Sequence, residues 1–268
     1  MGSGSKEGYL EVDGYKVHYL RYGDEGPKLV LIHSMGMDAR GFDMFSEAVK
    51  GEYQIMALDI LDHGDPSTPE TSVSIPEHAE LMRSCIRQLD FVPNILIGHS
   101  VGGMMGMVLA AEHPEELKGL VLVDIAPRES RGPRPIRPPP PEYFKDENEA
   151  RQYFRQRYTG FVEEAIENRI KNALTEDEEG RLVLKPIGAA IRPSLDVNLW
   201  PYAERIEIPT LLIKGGESTS ITDDRIERLK RHILGFRVVT VEGATHMVPQ
   251  DKPEEFKQHV INFVESIS

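Results

Sequence analysis

At 268 residues the chain is long enough for one large domain with a substantial core and too short for two such domains plus a linker. A net charge of -13 and an acidic pI argue against a nucleic-acid footprint or attraction to an anionic membrane surface, and no apolar run approaches the ~20 residues of a membrane span. The single cysteine, Cys85, excludes an intramolecular disulfide; with Leu81, Met82, Ile86 and Leu89 at helical spacing it reads as a core residue. Residues 1–5 lack a basic region followed by an apolar stretch, and Gly-Ser-Gly-Ser reads as a cloning remnant, so a cytoplasmic location is expected.

Residues 9–12 and 15–22 are β-like runs flanking Asp13-Gly14, a two-residue hairpin signal that predicts an antiparallel edge to a sheet. His18 alternates with its neighbours there and reads as a surface strand residue. Residues 28–33 predict a buried strand, followed by the turn Ser34-Met35-Gly36, a helical stretch near 41–49 and a strand over 53–60. A metal reading of His63 finds no partner at ligand spacing and no H-E-x-x-H. Residues 75–91 predict an amphipathic helix begun by Ser74 and Pro76, which returns the chain in a right-handed crossover to the apolar run 94–97. Residues 117–124 predict the next strand, which ends on an acid, Asp124.

From residue 126 to about 205 the alternation of strand and helix lapses. Pro127, Pro133, Pro135 and prolines 138–141 give a stiff entry, after which 142–175 is helical in composition. Arg128, Arg131, Arg134 and Arg137 read as solvated or paired with the acids that follow, with an anionic substrate tail as the alternative. Regular order resumes with a strand at 210–214, a helix near 223–233, a strand at 236–241 and a last helix from 252 to 266. The expected fold class is α/β, a mostly parallel, doubly wound sheet covered on both faces. Residues 6–126 and 206–268 form its core, and 127–205 an inserted, mainly helical unit.

The organising stretch is 94–111, Asn-Ile-Leu-Ile-Gly-His-Ser-Val-Gly-Gly-Met-Met-Gly-Met-Val-Leu-Ala-Ala. A strand, a sharp turn and a helix put Ser100 at an apex, with Gly98 and Gly102 where a Cβ would meet the returning chain. Gly98-His99-Ser100-Val101-Gly102 between strand and helix resembles the nucleophile elbow of the α/β-hydrolases. The resemblance implies that Ser100 is the nucleophile and that 127–205 is a cap over it. The oxyanion would be held by the N–H of Val101 and, by position in the earlier turn, that of Met35. Ser34 stands where the family prefers glycine, and His33 reads as a hydrogen-bonding brace for that turn. Residues 59–67 resemble the family's D-x-x-G-H-G-x-S loop imperfectly, with Asp62 replacing a glycine and one extra residue before Ser67.

A serine hydroxyl needs a base within hydrogen-bond reach. His99 is expected to point the other way along the turn, while His78, His232 and His259 fall within helices; His246 alone sits in a loop at the carboxyl end of a late strand. Gly243-Ala-Thr-His246 before Lys252-Pro-Glu-Glu-Phe256 also resembles the family's catalytic-histidine loop. The family's usual acid position falls on Ser218 or Thr219, neither of which carries charge. Asp124 is the preferred acid, because some branches draw it from that strand end, including esterases with Gly-Gly-x-Ser as in 215–218; Glu217 is the alternative. The expected function is hydrolysis of a small-molecule carboxylic ester with a small to medium acyl group, without cofactor or metal, through a Ser-His-Asp triad. Thioester, lactone or carbon-carbon bond hydrolysis, or a receptor or signalling role on the same fold, are the alternatives. Met35, Met37, Met104, Met105 and Met247 suggest an adaptable pocket, with Met104 and Met105 also readable as core.

Overall fold

The computed structural model describes residues 4–61, 73–129, 138–185 and 195–267. The hairpin of β1 (Lys6–Val12) and β2 (Tyr15–Tyr22) turns at Asp13-Gly14, with both residues at positive φ. Then come β3 (Lys28–Ile32), a 3-10 turn (Ala39–Phe42), α1 (Asp43–Val49), β4 (Gln54–Leu58) and α2 (Ile75–Gln88). Helix α2 starts on a reciprocal capping box: the Ser74 hydroxyl accepts from Glu77 N–H while the Glu77 carboxylate accepts from Ser74 N–H. β5 (Asn94–His99), α3 (Val101–Glu112) and β6 (Leu117–Val123) follow. Between β6 and the next strand of the main sheet lie α4 (Glu147–Arg157), α5 (Glu163–Ala173), the small hairpin β7 (Leu174–Glu176) and β8 (Leu182–Leu184), and a short α6 (Trp200–Ala203). The chain closes with β9 (Thr210–Gly215), α7 (Asp223–His232), β10 (Arg237–Val241), α8 (Val248–Asp251) and α9 (Pro253–Ile267).

The main sheet has eight strands in the order β1-β2-β4-β3-β5-β6-β9-β10. The first two are antiparallel additions, and β4 through β10 run parallel. Alternate residues of the central strands feed two cores. Val30, Ile32, Leu58, Leu96 and Leu122 belong to one, with α2 and α3, while Leu29, Leu31, Ala57, Ile97 and Val123 belong to the other, with α1 and α9. Burial on both faces explains why these strands read as unbroken apolar runs. Phe256 of α9 meets Phe45 of α1 edge-on at 5.4 Å, pinning the last helix to the second core.

His18 departs from its expected surface position. Its side chain is about 10% exposed, and its Nδ1 lies 2.7 Å from Asp59 Oδ2 and its Nε2 3.1 Å from Glu7 Oε1. The period-2 pattern was correct, but a buried carboxylate at the end of β4 supplies this histidine with a partner. The segment between β6 and β9 has a small core of its own, built from Phe144, Ala150, Phe154, Ile166, Ile170, Ala173 and Leu174. Among the described residues, no helix is long and apolar enough to cross a membrane.

Candidate active site

Strand β5 ends at His99 and α3 begins at Val101, leaving Ser100 alone at φ 53°, ψ -110°. A side chain at that φ crowds its own backbone, so the conformation persists only where the surroundings fix it. Ser100 N–H donates to Val123 O at 3.0 Å, and Ser100 O accepts from Met104 N–H at 3.1 Å. The glycines expected on either side are sterically required. A Cβ on Gly98 would lie 2.5 Å from the Gly102 carbonyl, and one on Gly102 would lie 2.1 Å from Ile32 O. The start of α3 therefore runs against the end of β3, beside the turn that carries Met35.

Asp124 follows β6 as Ser100 follows β5, also at positive φ (47°), and is fully buried. Its Oδ2 accepts from His246 Nδ1 at 2.7 Å and from the Ser218 hydroxyl at 2.5 Å; its Oδ1 accepts from Gly215 N–H at 2.9 Å. Burial alone would raise the carboxyl pKa. The bond to His246, that histidine's charge, and the Ser218 and Gly215 donors outweigh it and hold Asp124 below its ordinary value. A carboxylate on Nδ1 fixes the proton there and leaves Nε2 as the basic nitrogen. Glu217 is exposed, and its carboxylate makes no bond to His246.

The loop around His246 is itself held. His99, expected to point away, instead presents its Nε2 to His246 O at 2.8 Å, with the two rings 5.1 Å apart. Complete burial, with the second imidazole nearby, pushes His99 down to about 3, so it is neutral and Nε2–H donates to the carbonyl. Sequence reasoning missed this tie and the Ser218 contact. Only the position of His99 next to the elbow and the Gly-Gly-x-Ser pattern hinted at them.

Residues 34–37 form a turn closed by Met37 N–H to Ser34 O at 3.0 Å, with Gly36 at φ 86°. That is the glycine-favouring third position of a type II turn, so Ser34 is accommodated in the first. His33 braces it: Nδ1–H donates to Ser34 O at 2.8 Å, and Nε2 accepts from Ile60 N–H at 3.0 Å. Among the described residues neither Met35 N–H nor Val101 N–H has a protein acceptor. Met37, Met104 and Met105 are core residues, whereas Met35 and Met247 are partly exposed.

Among the described residues, one trio has ligand atoms close enough to hold a metal, His113, Glu115 and Glu116. It lies at the far end of α3, and Arg83 and Arg87 already occupy Glu116 while Glu80 occupies His113. His63, Arg131, Arg134 and Arg137 lie outside the described residues.

The model of the alpha/beta hydrolase family matches residues 29–259. The 2-(acetamidomethylene)succinate hydrolase of Mesorhizobium japonicum is 24% identical over 255 residues, covering 90% of this chain and 89% of that protein. The sn-1-specific diacylglycerol lipase ABHD11 of Mus musculus is 26% identical over 251 residues, covering 89% and 81%. Among solved structures, E-2-(acetamidomethylene)succinate hydrolase superposes with a TM-score of 0.86 at 22% identity, over 97% of this chain and 99% of the other. With most of its length matched and its strands in this order, the chain belongs to the alpha/beta hydrolase family.

Proposed function

We propose that the protein is a serine esterase that hydrolyses carboxylic esters of small to medium acyl groups, with Ser100, His246 and Asp124 as its triad. The observation that carries the reading is the 2.7 Å bond from His246 Nδ1 to the buried Asp124 carboxylate, at the same sheet edge as the strained Ser100 turn. Relatives named as a lipase and as a hydrolase support the reaction class.

Ser100 Oγ attacks the ester carbon as His246 Nε2 takes its proton, and Asp124 stabilises the resulting imidazolium. Charge moves onto the carbonyl oxygen, where the unpaired N–H groups of Val101 and Met35 receive it. One such donor is worth about 3–4 kcal/mol of barrier. The tetrahedral intermediate expels the alcohol, which takes the proton from His246, and leaves an acyl-Ser100. Water then gives its proton to Nε2, attacks the acyl carbon and releases the acid as Ser100 regains its proton. No step needs a cofactor.

Residues 127–205 act as the cap. On the Met35 side α5 is seated by Asn168 Nδ2 to Asp43 Oδ2 at 3.1 Å and by the Arg169–Asp38 pair at 3.5 Å. On the His246 side Val162 N–H donates to Gln250 O at 3.1 Å.

Chromogenic esters graded by acyl length, run beside acyl-thioesters, test the bond and the acyl size; faster thioester turnover would move the assignment to thioesters. Ser100→Ala is expected to abolish fluorophosphonate labelling and lower turnover by about 10⁴ to 10⁶ while the protein stays folded. Retained label and activity in that variant would overturn the reading, and a single turnover in the wild type would indicate a receptor.

A further inference from the structure

We infer that Asp251 is a positioning residue for His246 and acts through Thr245. The inference rests on the reading of His246 as the base. Asp251 ends α8 and is 3% exposed. Its Oδ2 accepts both the backbone N–H of Thr245, at 2.7 Å, and the Thr245 hydroxyl, at 2.6 Å. The hydroxyl hydrogen points to Asp251, so the oxygen's lone pairs are free to accept, and one does so from Met247 N–H at 3.2 Å. The residues on both sides of His246 are thus tied to one carboxylate oxygen. Asp251 N–H returns to Met247 O at 2.9 Å, which closes the loop onto the first turn of α8.

The other half of the carboxylate shows that the arrangement is enclosed. Asp251 Oδ1 is buried with no hydrogen-bond partner, and Gly160, in the turn between α4 and α5, lies directly over it. A Cβ on Gly160 would stand 2.5 Å from Oδ1 and 2.7 Å from Oδ2. A buried oxygen without a donor is unfavourable for folding, and an apolar residue at this position would avoid it. What the acid supplies in return is a fixed acceptor for Thr245. Burial raises the Asp251 carboxyl pKa against the opposing Thr245 bonds. An asparagine is the conservative variant because its amide oxygen can accept the same two Thr245 bonds.

His246 is therefore set from three directions: Asp124 on its ring, His99 on its carbonyl, and Asp251 on the residues either side. Releasing the third leaves the ring hydrogen bond but lets the loop shift, and a base misplaced by about 1 Å costs on the order of 10²-fold. Asp251 touches neither the nucleophile nor the ring, so its effect falls on the chemical step and leaves substrate binding alone.

The test measures kcat and KM for p-nitrophenyl butyrate, and the rate of fluorophosphonate labelling, in Thr245→Val, Asp251→Ala and Asp251→Asn, with His246→Ala as reference. Thr245→Val keeps the shape of the side chain and removes only the hydroxyl. Its kcat is expected to fall about tenfold, and that of Asp251→Ala about 100-fold, with KM within about twofold and labelling slowed in parallel. Asp251→Asn, whose amide oxygen accepts the same two bonds, is expected to recover most of the loss. Wild-type kcat in Thr245→Val, a loss carried by KM, or an Asn variant as poor as Ala would each overturn the inference. If Asp251→Ala does not fold, Thr245→Val decides by the same criteria. Full turnover in His246→Ala would bring down the base reading itself, whereas an inactive His246→Ala beside an undisturbed Thr245→Val removes only the role of Asp251.

Discussion

Four non-glycine residues of the described chain have positive φ, and two of them are explained by local turns: Asp13 in the first hairpin and Asp90 after α2. The other two are Ser100 and Asp124, each one residue past the end of a parallel strand. Strain at those points has a common purpose, to lift a polar side chain out of an apolar sheet edge. Asp124→Asn keeps the shape but offers an amide where a charged acceptor holds the histidine proton, and turnover at pH 7 to 8 is expected to fall by roughly 10⁴. Ser218→Ala removes one of two donors to the same oxygen and leaves the histidine bond, so a loss of about fivefold is expected. Glu217→Gln is expected to stay within about twofold, because its carboxylate is solvated. A near-normal rate for Asp124→Asn would move the acid to the loop after β9. The elbow pattern and the strand-end loop single out Ser100 and His246, the residues on which the proposed mechanism rests. The parts played by His99 and Ser218 were not legible in the sequence, because each depends on a contact between segments more than 90 residues apart.

At the scale of elements, the sheet was legible because its central strands are buried on both faces and so read as apolar runs, with the amphipathic α2 between β4 and β5 and the almost wholly apolar α3 between β5 and β6. Residues 142–175, helical in composition, hold two helices, α4 and α5, and the hairpin of β7 and β8 begins at Leu174. The break falls at 158–162, and the β7–β8 turn is built by Asp177, whose carboxylate accepts from the N–H groups of Glu179 and Arg181 on either side of Gly180, itself at φ 74°. A run of acids favours helix in composition, and here one of those acids makes the turn. Gly160 tests how this segment is seated. Gly160→Ala must lift the turn off the Asp251 carboxylate, with an expected loss of about 1–3 kcal/mol of stability. If the seat on α8 steadies the histidine loop, kcat drops about fivefold as well. Gly51→Ala is the reference, since its added Cβ meets nothing within 4 Å. A Gly160→Ala protein with the Tm and kcat of the reference would show that the turn yields without cost and that its contact with Asp251 is incidental.

For the molecule as a whole, buried titratable groups set the acid side of its stability. Burial pushes His78 down to about 4 and His99 down to about 3. An unfolded histidine takes its proton near pH 6.5, so as the pH falls below that value the unfolded chain binds protons that the folded one refuses, and stability declines. The depressed carboxyls of Asp59, Asp124 and Glu116 act in the same direction but later, because the stability they contribute is complete above the ordinary carboxylate range and is lost only as pH falls through their lowered values. His18 opposes. Its pKa is raised, since Asp59 and Glu7 outweigh its burial, and the stability it adds below pH 6.5 disappears as pH rises. Asp43 and Asp251, raised by burial, also favour the fold as acid is added. Relief of self-repulsion from the net charge of -13 waits for the bulk of the carboxylates to titrate, near or below pH 4.5. Between pH 6.5 and 5 the slope is therefore governed by the histidines, and two buried neutral rings outweigh the single paired one. Unfolding in urea should show a lower midpoint at pH 5 than at pH 7.5. His78 is the residue to remove, because it lies in α2, distant in sequence from the elbow and the histidine loop, and is fully buried. In His78→Leu the decline should shrink by about 2 kcal/mol at pH 5, with little change at pH 7.5, where the native ring is already neutral. A variant that loses as much stability between the two pH values as the wild type would show that the folded protein accommodates a charged His78, and the acid sensitivity would then have to lie with His99.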